Sequence, residues 1–311
     1  MIMGTPISVL GEALMDCVAQ PGGDLRPLMG GSPFNMARAA ALRGADVAYL
    51  NPLSVDRFGD RMRTQLAEDG VRVVSPPSRL PTSLAVVQID QGQPSYGFYR
   101  EGIADRDYQV ESMLELLSRQ APGILHTGSL LLVPPEDRKV AAVLRGARAL
   151  GWTISVDVNM RPKLAADLPL YVAGVWEIAA LAHWIKASDE DLEILGLPGP
   201  DRATAPRLAD RFRALGARRI AMTFGAGGAW LEVDGACADM GVPIVDVVDA
   251  VGAGDTFWGN CIGDWALHPD GAAQRVGATL AGAVQAAAIN CTRAGCQPPR
   301  HAQVLAALGA G

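Results

Sequence analysis

Short β-rich runs alternate with helical patterns along most of the chain, and this alternation restricts the fold more than any other feature. The predicted strands cover residues 7–11, 47–50, 124–127, 153–158, 184–187, 219–224 and 229–233. The predicted helices cover residues 33–43, 60–69, 111–118, 136–150, 202–215, 255–267 and 274–290. Such an alternation favours an α/β fold with a mainly parallel sheet and helices on both faces. Ligands of such sheets bind beyond the carboxyl ends of the strands.

Length and composition exclude several classes of protein. The 311 residues suffice for one large α/β domain or two smaller ones, with 49% hydrophobic and 19% charged residues. The net charge of −6 and the absence of a long Lys/Arg run argue against a nucleic-acid partner. No apolar run approaches the roughly 20 residues of a membrane span, and the first residues lack a signal-peptide pattern. We therefore expect a globular, cytoplasmic protein.

Cysteine and histidine spacing gives no sign of a disulfide framework or a metal site. The five cysteines are an odd number without a C-x-x-C pair, as expected for reduced thiols in a cytosolic protein. The four histidines are far apart and lack metal-ligand spacing, so each is predicted to be structural or on the surface.

Two stretches, at residues 13–28 and 84–99, interrupt the α/β pattern. Both show strand-like alternation with turn residues, and no helix follows either. Two such hairpins could pair into a small sheet that covers a site and excludes water. The alternative is a pair of surface hairpins without a role.

The stretch from Asp249 to Thr256 is the strongest functional signal. An apolar run at residues 242–248 predicts a buried strand, three small residues follow, and Asp255 then begins a predicted helix. Unpaired N–H groups and the helix dipole make such a start suitable for an anion. A carboxylate placed there could take a proton from a hydroxyl that attacks a phosphate. The alternative is that Asp255 is an ordinary N-cap worth about 1 kcal/mol.

A second signal lies at residues 30–35. Two glycines provide a flexible joint, Ser32 can cap a helix, and Pro33 fits its first position. Asn35 then falls in the first turn, where its amide can bind a polyol or merely support the helix start. Asp16 could accept hydrogen bonds from two sugar hydroxyls, or it could be solvated like most lone strand carboxylates.

Two further strand ends carry polar or glycine-rich segments. Asp157, Asn159 and Arg161 end a predicted buried strand, where unpaired polar groups are costly, so either a ligand or an internal Asp–Arg pair is expected. Residues 223–228 follow another strand, and their glycines permit close backbone approach to an anionic or flat group, or else form a hairpin turn. Neither a Walker-type P-loop nor a G-x-G-x-x-G sequence is present.

Together these segments resemble the ribokinase-like, or PfkB-type, carbohydrate kinases. Residues 249–255 match the family signature D-T-x-G-A-G-D with Ala250 in place of Thr, and residues 30–35 match G-G-x-x-x-N. The resemblance is collinear from Gly11 to Gly295. It implies a three-layer Rossmann-like ribokinase fold in a single domain, residues 1–311, with a β-sheet lid formed by residues 13–30 and 84–105. It also implies transfer of the γ-phosphate of ATP, with Mg²⁺, to a sugar hydroxyl.

The same resemblance implies roles for individual residues. Asp255 looks like the catalytic base, and the backbone N–H groups of Gly252, Ala253 and Gly254 look like an anion hole. The residues that resemble sugar contacts are Asp16, Gly31, Asn35, Phe98, Arg100, Asn159 and Arg161. The residues assigned to the nucleotide are Lys186, Asn290 and the T-x-G-x-x-G residues Thr223, Gly225 and Gly228.

The resemblance also bears on metal ions. The family's N-x-x-E element, tied to Mg²⁺, falls on Ser188 to Asp191, and neither end matches. Asp191 is the carboxylate left in that position. Residues 290–295 resemble a loop that closes on adenine and in several members helps to hold a monovalent cation. Asp249 and Val251 are then the expected ligands of K⁺.

Within the family, residues 11–16, 98–106 and 290–295 look most like bacterial fructokinases, which makes D-fructose the expected acceptor. The D-x-N-x-R element at 157–161 is also similar to that of 2-keto-3-deoxygluconate kinases, where an arginine serves a carboxylate. A ribose or nucleoside kinase is compatible with the same motifs, as is a sugar-binding regulator that has lost phosphoryl transfer. Because exposed strand edges tend to pair, a homodimer through the lid is expected.

Overall fold

A computed structural model describes residues 4–20, 22–90 and 93–309, and this part of the chain forms thirteen strands and ten α-helices. The strands are β1 Ile7–Val9, β2 Leu14–Ala19, β3 Leu25–Gly30, β4 Val47–Tyr49, β5 Val71–Val73, β6 Ser83–Asp90, β7 Gln93–Tyr99, β8 Ile124–Gly128, β9 Thr153–Asp157, β10 Trp184–Ser188, β11 Arg219–Thr223, β12 Ala229–Val233 and β13 Ala236–Met240. The helices are α1 Ser32–Arg43, α2 Arg57–Glu68, α3 Val110–Ser118, α4 Glu136–Ala149, α5 Leu168–Ala179, α6 Asp189–Ile194, α7 Ala205–Ala214, α8 Ala253–Leu267, α9 Val276–Cys291 and α10 His301–Gly309.

Nine of the strands form one sheet in the order β13-β12-β11-β10-β9-β8-β1-β4-β5. All neighbours from β11 to β5 pair in parallel, whereas β12 pairs antiparallel with both β11 and β13. The chain builds outward from β1 to β5 and then returns to add β8 on the other side. This reversal of strand order creates a crevice at the carboxyl ends of β1 and β8, the usual ligand position in such sheets.

Helices cover both faces of this sheet, so that alternate side chains of a strand enter different cores. Ile220 and Met222 of β11 belong to a core with α3, α4, α5 and α7, whereas Ala221 belongs to a core with α1, α2, α8 and α9. Burial on both faces explains why these strands read as continuous apolar runs. The predicted three-layer α/β fold is therefore confirmed.

A second sheet of four strands has the order β3-β2-β6-β7. Its two hairpins are the stretches that interrupt the α/β pattern in the sequence, and the parallel pair β2 and β6 joins them. This sheet leaves the main sheet directly after β1, so it begins at the crevice. The expected small second sheet is present.

One predicted element is wrong. The apolar run at residues 242–248 is not a buried strand: it forms neither helix nor strand, Ile244 is fully exposed, and Val248 is 63% exposed. Pro243 lacks an N–H for a sheet ladder, and β13 already ends the sheet at Met240. A segment becomes a strand only if it also has a neighbouring strand to pair with, so apolar composition alone gave a wrong prediction here. The sequence also did not reveal β5, β13, α5, α6 or α10, which are short or only weakly periodic.

Three features of the sequence fall on positions about which the structure gives no description. Residues 1–3 belong to the segment that lacks a signal-peptide pattern, and Pro21, Gln91 and Gly92 are turn residues of the two hairpins. Among the described helices, none has both the length and the apolar character needed to cross a bilayer.

Candidate active site

Asp255 lies in the first turn of α8, at the third helical position. The helix begins at Ala253 with Gly252 as its N-cap, so Asp255 is not the N-cap that one interpretation of the sequence suggested. Gly252 has φ 74°, and an added Cβ would lie 2.2 Å from Cys296 Sγ. Glycine is therefore required there by both conformation and space. The carboxylate of Asp255 is buried beside the helix start.

Two side chains from the start of α1 hold this carboxylate. Ser32 Oγ donates to Asp255 Oδ1 at 2.7 Å, and Asn35 Nδ2 donates to Asp255 Oδ2 at 2.9 Å. The predicted N-cap role of Ser32 is wrong: Gly31 with φ 106° is the N-cap, and the Ser32 hydroxyl points to Asp255 instead. An added Cβ on Gly31 would meet Glu12 O at 2.4 Å. The glycine pair thus lets α1 start close enough to reach α8.

The environment of Asp255 favours a carboxylate able to take a proton. Burial raises its pKa, while the hydrogen bonds from Ser32 and Asn35 and the charges of Lys186 and Arg161 act in the opposite direction. A general base is most effective when its pKa is raised toward the working pH. Burial shifts the pKa of Asp255 in that direction.

A buried cation lies next to the start of α8. Lys186 Nζ is 3.2 Å from the position that a Cβ on Gly254 would occupy, and it donates to Asp157 Oδ1 at 2.9 Å and Oδ2 at 3.0 Å. Burial alone would lower the pKa of Lys186, but attraction to Asp157 and Asp191 raises it, so the amine stays charged. Although Asp157 pairs with it, the ammonium group and the first N–H groups of α8 are donors that an anion at this position could use.

The polar segment after β9 is arranged differently from the predicted Asp–Arg pair. Asp157 pairs with Lys186, whereas Arg161 Nη1 donates to Asn159 Oδ1 at 2.6 Å. Asn159 has φ 36°, a conformation that few residues other than glycine, asparagine and aspartate adopt. From this turn, the charge of Arg161 acts on Asp16 and Asp255 and lowers the pKa of both carboxyl groups.

Asp16 and Phe98 lie on the small sheet. Asp16 Oδ2 is 2.2 Å from the position of a Cβ on Gly30, so the carboxylate covers that glycine. The pKa of Asp16 is raised to about 6 because burial outweighs the opposing charge of Arg161 and the charge of Asp255 adds to the rise, so the three groups act on one region. Phe98 packs near Leu14 at the base of the sheet.

A cluster of buried polar atoms lies beneath this region, and it includes a residue that the sequence analysis did not single out. Glu12 Oε1 accepts from Ser32 N at 3.1 Å, and Arg100 Nη1 donates to Ser83 Oγ at 3.0 Å and Asp105 Oδ2 at 3.1 Å. Within the described chain, Glu12 Oε2, Arg100 Nε, Arg100 Nη2 and Asp105 Oδ1 lack partners. Buried orphans of this kind call for ordered water or a polar ligand. An acidic residue inside an apolar run was the available signal for Glu12.

The glycines predicted to contact the nucleotide form a tight turn between β11 and β12. Thr223 ends β11, and Gly225 and Gly228 have φ 50° and 98°. An added Cβ on Gly228 would be 2.1 Å from Met240 O, because β13 ends alongside the turn. The turn thus has little side-chain bulk and leaves its backbone accessible.

Two residues assigned to ligands have other uses in the structure. The carboxylate of Asp191, expected near Mg²⁺, caps α6: Met160 N donates to Oδ1 at 2.6 Å, and Ser188 N and Oγ both donate to Oδ2 at 2.8 Å. Asn290, expected at adenine, is fully buried; its Nδ2 donates to Val251 O and its Oδ1 accepts from Gln297 N, both at 2.8 Å. Both side chains fix loops through these hydrogen bonds. Asp191 Oδ2 already accepts two of them, so only Oδ1 keeps a lone pair for a metal ion.

The proposed monovalent-cation ligands lie in the loop before α8. Asp249 Oδ1 accepts from Val251 N at 3.0 Å and Oδ2 from Gly295 N at 2.8 Å, while Val251 O accepts from Asn290 Nδ2. Each oxygen keeps a free lone pair in this arrangement. Among the residues with defined positions, no group of three or more His, Cys, Asp or Glu side chains is arranged to hold a metal ion.

Glu12 offers a test of the buried cluster through the pH dependence of stability. Burial raises its pKa from 4.5 to about 7, against the opposing charge of Arg100. Folding therefore favours the protonated form, and this stabilisation is complete below pH 4.5 and lost as the pH rises through about 7. Glu12→Gln mimics the protonated form at every pH. Its free energy of unfolding should therefore lack the decrease of about 3 kcal/mol that Glu12 causes in the wild type over this range.

Denaturant unfolding of Glu12→Gln and of the wild type between pH 4.5 and 8 measures this difference. The exposed Glu111→Gln serves as the matched control and should follow the wild type. If the stability of Glu12→Gln varied with pH as that of the wild type does, the claim that folding raises the pKa of Glu12 would be wrong.

The fold and this site define the class of protein: an α/β enzyme with a buried carboxylate, a helix start and a lysine around an anion position. Residues 5–303 match the family described as pfkB family carbohydrate kinase, and the chain belongs to this family. It is thus a carbohydrate kinase, an enzyme that uses ATP.

Two curated proteins and one solved structure illustrate the similarity. A fructokinase of Rhizobium leguminosarum bv. trifolii is 32% identical over 259 residues, which cover 79% of this chain and 76% of that protein. A 2-dehydro-3-deoxygluconokinase of Bacillus subtilis is 28% identical over 245 residues, covering 74% and 71%. The crystal structure of a fructokinase with bound ATP from Xylella fastidiosa superposes with a TM-score of 0.80 at 27% identity and covers 98% of both chains.

Proposed function

We propose that this kinase transfers the γ-phosphate of ATP to the terminal hydroxyl of D-fructose, with Asp255 as the base. The observation that carries the proposal is the buried Asp255 carboxylate in the first turn of α8, next to the Lys186 amine. A carboxylate at an anion site is unfavourable unless it accepts a proton there. Phosphoryl transfer to an alcohol requires this proton acceptance.

In the proposed reaction Asp255 takes the proton of the attacking hydroxyl. The backbone N–H groups of Gly252, Ala253 and Gly254, with Lys186, stabilise the charge on the transferring group. Mg²⁺ bound to ATP would neutralise phosphate charge, with ATP phosphates and water as its main ligands because the Asp191 carboxylate is largely engaged by Met160 and Ser188. Asp249 and the carbonyl of Val251 are proposed to hold K⁺ behind this helix start.

The sugar is proposed to lie between the small sheet and the main sheet. Asp16 and the amide of Asn35 would bind its hydroxyls, Gly31 would allow close approach, and Phe98 would cover one side. Arg100 is already bonded to Ser83 and Asp105, so its contribution would come through its two unpaired nitrogens. The small sheet would then act as the lid of a single domain that spans residues 1–311.

Thr223, Gly225 and Gly228 are proposed to receive the nucleotide on the other side of Asp255. The positive φ values of the glycines shape the turn, and its open backbone suits a flat or phosphorylated group. Asn290 would support this region by fixing the 290–297 loop without contacting adenine.

Arg161 supports a second acceptor, 2-keto-3-deoxygluconate. Its guanidinium acts electrostatically on Asp16, Glu12 and Asp255, so it faces the proposed sugar region. A substrate carboxylate would pair with such a charge, whereas fructose has none. The similarity to the Bacillus subtilis kinase agrees with this alternative.

An ADP-release assay across D-fructose, 2-keto-3-deoxygluconate, ribose and a ribonucleoside tests the proposal. We expect the highest kcat/KM with D-fructose. Arg161→Gln should change fructose turnover less than turnover of the acidic sugar. A preference for any other acceptor would overturn the fructose assignment. Sugar-dependent thermal stabilisation without any ADP release would point to a binding protein without transfer activity.

Two further proposals concern the assembly and location of the protein. The edge strands β3 and β7 of the small sheet expose Leu25 by 49% and Tyr99 by 65%, which supports a homodimer through the lid. Light scattering should give twice the 32.6 kDa chain mass, and a monomer would refute this proposal.

Free thiols at all five cysteines and the use of ATP support a cytoplasmic location.

A further inference from the structure

A cavity of about 610 Å³ lies at the ends of α1 and α8 opposite to the active site. Its lining comes from α1, α8, α9, α10 and the turn before α9. Asn260 and Asp264 of α8 line it, and they lie five and nine positions after Asp255, or about 7 and 13 Å along the helix axis. The cavity is therefore separate from the proposed sugar and nucleotide positions. Its volume falls within the usual range for small-molecule sites.

The charges in this cavity do not cancel. Arg43 Nη2 and Arg275 Nη2 donate to the same Asp264 Oδ1 at 2.6 and 2.9 Å, and Thr279 Oγ1 donates to Oδ2 at 2.7 Å. Although burial opposes it, the hydrogen bonds from Arg275 and Thr279 hold the pKa of Asp264 below its usual value. Asp264 is therefore ionised. One carboxylate between two guanidinium groups leaves one positive charge uncompensated.

Two buried nitrogen atoms at the same place lack partners. Arg275 Nε and His301 Nδ1 have no hydrogen-bond partner within the described part of the chain. A second imidazole, His268, lies close by, with Nδ1 3.0 Å from Asp264 O. Arg275 Nε is a donor, and His301 Nδ1 is also a donor in the tautomer that carries its proton there; an acceptor that occupies the cavity would satisfy both atoms. The unpaired atoms and the surplus charge thus call for the same ligand group, an anion.

The rest of the lining is apolar and leaves room for more than an inorganic ion. On the α9 side, an added Cβ on Gly282 would have no atom within 4 Å. On the α10 side, Leu305 and Leu308 line the cavity while remaining partly exposed. An anion with an apolar body would cover these side chains.

We propose that this cavity is a second ligand site for a small organic anion, a carboxylate or a phosphate ester with a compact apolar body. The anionic group lies on Arg275 and His301, and the apolar body lies between α9 and α10. The proposal rests on the cavity, its charge and its unpaired atoms, and it does not depend on the acceptor sugar of the kinase.

Phenyl phosphate is a suitable probe because it combines both features, and benzyl alcohol and inorganic phosphate each provide only one. The whole protein, with its histidines isotopically labelled, is titrated while the ring signals are followed by NMR; His301→Gln identifies the His301 signals. We expect phenyl phosphate to shift the His301 signals and to leave those of His126, buried in β8, unchanged. Benzyl alcohol and inorganic phosphate should bind at least about tenfold more weakly.

Two variants locate the anion-binding group. Arg275→Gln should weaken phenyl phosphate binding at least about tenfold, and its half-exposed side chain makes folding of this variant the expected outcome. His301→Gln should weaken binding as well. Arg300→Gln removes an exposed arginine beside α10 that does not line the cavity, so it should bind like the wild type. Unchanged His301 signals, equal affinity for inorganic phosphate, or wild-type affinity in both variants would overturn the proposal.

Discussion

Replacement of Asp255 by asparagine should lower kcat by roughly 10²–10⁴-fold, the usual contribution of a general base. Asparagine keeps the shape of the side chain but cannot take the proton of the attacking hydroxyl. The fold should tolerate the change. In the wild type, Asn35 Oδ1 lacks a partner within the described structure. A flip of the Asn35 amide would let this oxygen accept a hydrogen bond from Nδ2 of the new asparagine. Sugar binding and thermal stability should therefore be largely retained.

Steady-state ADP release, sugar binding by calorimetry and thermal unfolding test this prediction together. Asp246→Asn is the matched control, because Asp246 is an exposed carboxylate in the loop before α8. Its kinetics should resemble those of the wild type. Turnover of Asp255→Asn close to the wild-type rate would exclude Asp255 as the base, whatever the acceptor sugar.

Replacement of Lys186 by methionine should lower both stability and activity. The amine and its partner Asp157 are almost completely buried, so the substitution leaves an unpaired carboxylate inside the protein. The expected loss in the free energy of unfolding is about 3–5 kcal/mol. Activity should fall because the cation beside Gly254 no longer stabilises charge on the transferring group.

A double variant separates these two effects. In Asp157→Leu with Lys186→Met both charges are absent, and replacement of a buried ion pair by apolar groups is often neutral in stability. We expect urea unfolding of the double variant to approach that of the wild type while ADP release stays low. Lys163→Met, at an exposed position, is the control. Near wild-type turnover of the double variant would remove Lys186 from the proposed mechanism.

Most of the fold could be predicted from the sequence because its signals are periodic. The strands with both faces buried, such as β10 and β11, appear as apolar runs, and the glycine turns mark where helices start. The run at 242–248 is similarly apolar but contains Pro243 and lies beyond the last strand of the sheet. Hydropathy reports how apolar a segment is, and it does not report whether a neighbouring strand is available to pair with it.

The site could be predicted in part, and the errors have a common physical origin. Asp255 and Asn35 both lie in recognisable motifs at helix starts, and the structure brings their side chains together. Ser32, Asp191 and Asn290 have short polar side chains that can bond either to the local backbone or to a distant group. The choice between these partners is made by tertiary packing. Glu12 lies inside the segment 11–16 that resembles fructokinases, but its own signal is only an acidic residue in an apolar run, and the fold is needed to show that it supports α1.

The hydrogen bonds that hold Asp255 have a consequence for the synthesis of the protein. Their partners Ser32 and Asn35 precede Asp255 by 223 and 220 residues. At about 5–20 residues per second, the ribosome needs roughly 10–45 s to make the intervening chain. During this interval the start of α1 lacks the carboxylate that satisfies its side chains, and the apolar face of α1 lacks α8. A nascent chain stalled before residue 253 would thus expose this helix face to chaperones or to other nascent chains.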